Sequence, residues 1–353
     1  MIKLNTKVAI IDEHNIDEAS IKEAGEVIKK GGLVAFPTET VYGLGADALN
    51  SSAVEKIFKA KGRPQDNPLI VHVCDFESVV PLVKEIPLVA QKLMRKFWPG
   101  PMTIILMKAD VIPDVTSAGL KSVGIRMPSN IIARKLIGYA KVPIAAPSAN
   151  LSGKPSPTDV ERCIEDLKGK VDYILGGEKC SVGVESTVID CTQYPPCVLR
   201  PGGITLEMLK AIDNNIYVDP AVMKKPDKDF KPKAPGMKYR HYAPKAPVKI
   251  VQGDLKKTVA KINEMVQNYI SEKKVVGIMA TDETMSEYHE GIVVSLGSRK
   301  CMTVVAHNLF ETLRSFDDKN VDVIISESFD EKGIGMAVMN RLTKSAGFDI
   351  IKL

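Results

Sequence analysis

An α/β fold in two parts is what this chain predicts, on three observations. Helix-periodic and strand-like runs alternate through the first two hundred or so residues. A proline-rich, basic stretch then breaks every periodicity between Pro220 and Pro247. Beyond it the alternation restarts and continues to the end. The 353 residues suit two domains of roughly 100–200 residues each.

In order, the first helix is expected at Ile16–Lys30, with Ile16, Ala19, Ile21, Ala24, Val27 and Ile28 near one face and Gly31-Gly32 as its stop. Leu33–Phe36 follows as a buried strand. Ser51–Lys61 reads as a helix with a serine cap, and Leu69–Val73 as another strand. Further strands are expected at Thr103–Met107, Ser122–Arg126, Pro143–Ala146, Tyr173–Leu175, Ser186–Ile189 and Val198–Leu199. Helices belong at Leu88–Phe97, Asn130–Tyr139 and Thr158–Leu167, the last capped by Thr158 with Glu161 three residues on. Hairpins among these strands make the sheet mixed rather than purely parallel. Past the prolines, Val248–Val251, Val275–Ala280, Ile292–Leu296 and Val321–Ile325 are short β-branched runs. They alternate with helical patterns at Leu255–Ser271, Thr303–Ser315 and Ile334–Ser345, as in a small doubly wound domain of about 105 residues. The organisation is therefore residues 1–218, a linker at 219–247, and residues 248–353.

Composition excludes several classes. Hydrophobic residues make up 44% and charged residues 26%, ordinary for a globular protein with a real core. No window approaches the ~18–20 apolar residues that span a bilayer. The start, MIKLNTKVAIIDEHN, lacks the apolar region and cleavage site of a secretory signal, so a cytoplasmic protein is expected, without a membrane partner. Six cysteines (Cys74, Cys163, Cys180, Cys191, Cys197, Cys301) form no C-x-x-C pair. Cys191 and Cys197 lie close enough in sequence to meet across a turn, but reduced, buried thiols are the expectation. The +5 net charge comes from one place: Lys224–Lys249 holds nine Lys/Arg against two Asp, which leaves the remainder slightly acidic. The basic pI alone is thus no argument for nucleic-acid binding. Within the linker, APGMKYRHYAP (Ala234–Pro244) has two Tyr, a Met, an Arg and a His, odd for a spacer and suited to docking.

Standard catalytic signatures are absent. There is no G-x-x-x-x-G-K-[ST] loop, no G-x-G-x-x-G after a strand, no G-x-S-x-G elbow and no H-E-x-x-H. The five histidines (14, 72, 241, 289, 307) show no ligand spacing, so no protein-held metal is expected. Other segments are polar where a plain core would be apolar. FPTETVYGLGADA (Phe36–Ala48) follows a buried strand and offers Thr38, Glu39, Thr40 and Tyr42. Ligands of open α/β sheets bind beyond the carboxyl ends of strands, where this piece sits. As a mere turn, it would need Gly43 and Gly45 only for special φ/ψ. KAKGRPQDNPLIVHV (Lys59–Val73) sets Lys59, Lys61 and Arg63 at a helix end, where cations suit the dipole but also clamp an anion. SVGIRMPSN ends a strand with Arg126, and PIAAPSANLSGKPSPT crowds Ser148, Asn150, Ser152 and Ser156 at a strand exit. GVESTVID (Gly183–Asp190) and LRPGG (Leu199–Gly203) complete the set. Lys61, Arg63, Arg126 and Arg200 beside many hydroxyls and amides suit a polyanion plus a small polar molecule.

Taken in order, these segments and WPGPMT resemble the YrdC-like domain, with Lys61/Arg63 and Ser148/Asn150 matching its Lys-x-Arg and Ser-x-Asn signatures. With APGMKYRHYAP and the tail, the chain is similar over nearly its whole length to the two-domain branch of the threonylcarbamoyl-AMP synthase family. The resemblance implies a YrdC-like twisted mixed sheet joined by the Pro-rich linker to a Rossmann-like domain. It implies a nucleotidyltransferase that joins L-threonine, bicarbonate and ATP, with Mg²⁺ on the nucleotide, and hands its product to proteins that modify tRNA at position 37. Residue by residue, Thr40, His72, Arg126 and Ser186, with the backbone of Ala146, would hold threonine. Arg63, Asn67, Ser122, Ser148, Asn150, Ser156 and Arg200 would hold ATP, with Lys61 beside its phosphates; Lys61 and Arg63 would be the catalytic cations. One of Tyr239, Arg240 or His241 would close over the nucleotide. A different-class alternative is an RNA-binding YrdC-like module without adenylating activity. Aromatics at only 5% rarely sit beside the cations, which disfavours base stacking. A third reading, carbamoyl transfer as in hydrogenase-maturation proteins, would need zinc-binding cysteine motifs that are absent here.

Overall fold

A computed structural model describes residues 4–225, 232–235 and 241–353. The chain divides into two units, one of Met1–Ser152 and Ser156–Lys238, the other of Gly153–Pro155 and Tyr239–Leu353. Among the described residues no helix is long and apolar enough to cross a membrane, and all six cysteines are free thiols.

In the first unit the order is β1 (Lys7–Ile10), α1 (Glu18–Lys29), β2 (Val34–Phe36), β3 (Gly43–Asp47), α2 (Ser51–Lys61), β4 (Ile70–His72), α3 (Leu88–Phe97), β5 (Met102–Met107) and α4 (Asp114–Ser117). Then come β6 (Ser122–Arg126), α5 (Ile131–Ala140), β7 (Ile144–Ala146), α6 (Val160–Leu167), β8 (Tyr173–Gly176), β9 (Thr187–Asp190), β10 (Cys197–Arg200), α7 (Leu206–Lys210) and β11 (Tyr217–Val218). One mixed sheet runs β1-β8-β2-β3-β7-β4-β6-β5-β9-β10-β11. Alternate residues along β2 face opposite cores, because strand side chains have a period of two. Val34 and Phe36 pack with Ile21, Ala24 and Ile28 of α1 and Ile132 and Leu136 of α5. Leu33 and Ala35 face Val54, Ile57 and Phe58 of α2 and Leu93 of α3.

The structure departs locally from the sequence expectations in three places. Helix α2 is capped by Asn50, which accepts from Ala53 N–H, and not by a serine. Asp159 rather than Thr158 caps α6, accepting from Arg162 N–H, and Thr158 is buried. The polar Phe36–Ala48 segment contains a strand, β3, antiparallel to β2 with Val34 opposite Gly45. Neither Gly43 nor Gly45 has a positive φ. A Cβ on Gly45 would stand 2.6 Å from Ile144 Cγ2 and 2.8 Å from the Phe36 ring, so the glycine serves close packing rather than a turn.

The second unit contains β12 (Val248–Gln252), α8 (Leu255–Ser271), β13 (Val276–Ala280), β14 (Ile292–Ser295), α9 (Met302–Asp318), β15 (Val323–Glu327), α10 (Gly335–Ser345) and β16 (Ile350–Lys352). All its strands are parallel, in the order β14-β13-β15-β12-β16. At the carboxyl end of β15 the fully buried Glu327 carboxylate accepts from Thr284, from Tyr288 at 2.7 Å and from Arg299.

Candidate active site

Strand register brings the first group of polar residues together. In the first unit, β4 and β6 run parallel with His72 opposite Arg126, and β5 places Thr103 on the other side of Arg126. All three side chains are buried. Arg126 Nη2 donates to Glu39 Oε1 at 2.7 Å, while Arg126 Nε is buried with no hydrogen-bond partner among the described residues. His72 packs edge-on to Phe36, its Nδ1 3.1 Å from the Ile70 carbonyl. Burial, reinforced by the nearby Arg126 charge, lowers its pKa to about 3, so the ring is neutral near pH 7. Thr40 is fully buried and shares a 2.8 Å hydroxyl contact with Thr38.

A second cluster joins β5, β9 and β10. Ser186 Oγ lies 2.8 Å from Thr103 Oγ1 and accepts from Arg200 Nη2 at 3.0 Å; Arg200 Nε donates to the Ser186 carbonyl, also at 3.0 Å. Arg200 Nη1 reaches the Pro235 carbonyl at 3.4 Å, and Ala234 is buried against Ile105, Val188 and Leu199. This part of the proline-rich segment is therefore packed onto the sheet of the first unit. Ser156 Oγ donates to Glu185 Oε1 at 2.6 Å, both groups buried.

The third cluster forms where α2 ends. Gly62, at φ +61°, caps the helix in the left-handed conformation that glycine adopts without strain, and turns the chain so that Arg63 N–H returns to Phe58 O. Lys61 is 2% exposed and its ammonium donates to the carbonyls of Ser148 and Asn150. Lys61 thereby fixes the turn in which Ser148 Oγ donates to Asn150 Oδ1 at 2.5 Å. Arg63 Nη2 is 3.4 Å from the carbonyls of Asn67 and Pro68. Asn67 is 1% exposed, and its Oδ1 has no partner among the described residues. A buried acceptor left so is costly unless a ligand donates to it.

Other residues stand apart. Ser122 begins β6 and lies about 13 Å along that strand from Arg126, at four residue steps. Ala146 ends β7 opposite Ile70 of β4, one strand from Arg126. His241 belongs to the second unit, and Tyr239 and Arg240 fall outside the described residues. Two functional-looking groups were missed in the sequence: Thr103, the one hydroxyl in the apolar run MTIILM, and Glu185, which precedes Ser186. Glu39 was visible only as part of a polar segment, because its partner is 87 residues away.

Residues 204–347 match the family profile described as threonylcarbamoyl-AMP synthase, C-terminal domain, and residues 26–202 match the Sua5_yciO_yrdC profile, described as telomere recombination. A threonylcarbamoyl-AMP synthase of Pyrococcus abyssi is 49% identical over 96% of this chain and 97% of its own length. The chain belongs to the threonylcarbamoyl-AMP synthase family. Another member, from Bacillus subtilis, is 46% identical over 98% of both chains. The crystal structure of P. abyssi Sua5 complexed with L-threonine superposes with a TM-score of 0.94 at 48% identity, covering 99% of this chain and all of that one. The family fold, a YrdC-like mixed-sheet domain followed by a smaller α/β domain, is thus the fold of this chain.

Proposed function

We propose that the protein is an L-threonylcarbamoyladenylate synthase. It would convert L-threonine, bicarbonate and ATP to threonylcarbamoyl-AMP and pyrophosphate, a nucleotidyl transfer. The observation that carries this reading is the near-full-length similarity to a relative crystallised with L-threonine. The buried arginines among hydroxyls supply chemistry that fits it.

The threonine amine and bicarbonate first condense to a carbamate with loss of water. A carbamate oxygen then attacks the α-phosphorus of ATP, and the bond to the bridging oxygen of pyrophosphate breaks. Two anions must meet, so positioning and charge compensation matter more than a protein nucleophile. In this reading Arg126, Ser186 and Thr40 bind threonine beside the neutral His72, and the Ala146 backbone lies alongside. His72 at this pKa contributes hydrogen bonding and shape rather than positive charge. Arg63 and Arg200 offset the phosphate charge, and Asn67, Ser122, Ser148, Asn150 and Ser156 line the nucleotide. Lys61 would stand beside the phosphates, and its ammonium also holds the Ser148–Asn150 turn against α2. Among the described residues no three His, Cys, Asp or Glu side chains converge on a metal position. Mg²⁺ would enter with the triphosphate of ATP and offset charge on the pyrophosphate leaving group. The product, a reactive mixed anhydride, would be consumed by proteins that transfer the threonylcarbamoyl group to tRNA.

Pyrophosphate release from ATP, with threonine and bicarbonate omitted in turn, tests the reading. Release that needs both is expected. Release indifferent to threonine would overturn it, and salt-sensitive RNA binding without such release would favour a plain RNA-binding module.

A further inference from the structure

We propose that Glu39 is a positioning residue for Arg126, aiming the guanidinium so that its Nε edge meets an oxygen of threonine; the inference rests on the threonine-dependent reading above. Glu39 and Arg126 are 8% and 4% exposed, which makes them a buried ion pair. Such a pair must be well hydrogen-bonded to offset the loss of water. On the carboxylate side it is: Oε1 accepts from Arg126 Nη2 at 2.7 Å and Oε2 from Ser129 N–H at 3.1 Å. Glu39 therefore holds both the side chain at the end of β6 and the backbone three residues further on. Its own backbone is pinned too, since the Glu39 carbonyl accepts from Val182 N–H at 2.8 Å.

On the guanidinium side the pair is incomplete. Arg126 Nε is buried and has no acceptor among the described residues. Glu39 engages one terminal nitrogen, which fixes the rotation of the planar fork and with it the direction of the Nε–H bond. A buried N–H donor without a partner is satisfied when an acceptor oxygen arrives. The neighbours in register, His72 and Thr103, bring no second carboxylate to the site. Glu39 also balances the Arg126 charge before substrate binds, so the pocket holds a directed donor rather than a bare cation.

The test is steady-state kinetics of Glu39→Gln, which keeps size and one acceptor, and of Glu39→Asp, which keeps the charge but shortens its reach. For Glu39→Gln the threonine KM should rise roughly tenfold to a hundredfold, the effect of losing one charge-assisted hydrogen bond. The ATP KM should change by less than about threefold, and Glu39→Asp should fall between wild type and Glu39→Gln. A purely structural role would move both KM values and the melting temperature together, and that outcome would overturn the proposal. So would a threonine KM within twofold of wild type in Glu39→Gln. Should wild type itself lack threonine dependence, the proposed function falls first and this inference with it. Normal threonine dependence in both proteins sinks the inference alone.

Discussion

The two sheets each bury a glutamate near the carboxyl end of a strand, but they surround it differently. In the second unit, Glu327 is fully buried and accepts from Thr284, Tyr288 and Arg299, with Thr281 at 3.4 Å. Its donors all come from the loops that follow β13 and β14, and burial together with the Glu327 charge keeps the Tyr288 phenol protonated. In the first unit, Glu39 takes two donors and its partner Arg126 keeps a buried N–H unmatched. Asn67 Oδ1 is likewise buried and unmatched nearby in sequence to Arg63. Both clusters leave a buried arginine Nε unmatched among the described residues, Arg299 beside Glu327 and Arg126 beside Glu39. They differ in the donors to the carboxylate, all side chains for Glu327 but one side chain and one backbone N–H for Glu39. Buried polar groups are normally satisfied, and in the first unit two exceptions, Arg126 Nε and Asn67 Oδ1, fall among the hydroxyls and cations of the candidate site.

The largest effect is expected at Arg126. Arg126→Ala should abolish threonine-dependent pyrophosphate release and, by leaving Glu39 buried and unpaired, cost about 3–5 kcal/mol of stability. Thermal melting and the release assay on the same preparation check both; a variant as stable and active as wild type would mean that the ion pair does neither job. The next effect concerns pH. His72 has a folded-state pKa lowered to about 3, so the unfolded chain binds the extra proton first as pH falls. Its contribution is flat above about 6.5, and below that it destabilises by about 1.4 kcal/mol per pH unit until the folded pKa is reached. Denaturant unfolding of wild type and His72→Gln between pH 7 and 4 should show this slope in wild type and its loss in the variant. Smallest is Glu327→Gln, expected to cost about 1–3 kcal/mol because the amide presents donors to donors. Threonine and ATP KM values should stay at wild-type levels there, which would separate the Glu327 cluster from the Glu39–Arg126 one.

How much of this was legible beforehand depended on whether a feature is local. Helices α1, α2, α5 and α8 show in the sequence because amphipathic spacing is a property of a few turns. Strand β3 did not, because GLGAD has no alternation: its glycines answer to Phe36 and Ile144, which only the folded sheet brings near. Caps were misassigned where two polar residues stood side by side, since spacing does not reveal whether Asn50 or Ser51 turns its side chain back. The polar segments were visible as composition. The Glu39–Arg126 pair was not, nor the use of the Lys61 ammonium on two carbonyls, because residue types do not name partners 87 or 89 positions away.

The edge strand β1 carries a consequence for synthesis. Among the described residues Lys7–Ile10 pairs only with β8, Lys7 lying opposite Tyr173, and Thr6 Oγ1 reaches the Val171 carbonyl. During synthesis β1 thus waits for a partner strand some 165 residues later. At about 5–20 residues per second that delay is roughly 10–30 s. During it a segment with Ile10 and Val8 has no native ladder to join, and the long sequence separation makes its closure slow in refolding as well. Until β8 is made, β1 is a segment of the nascent chain open to mispairing and to chaperones.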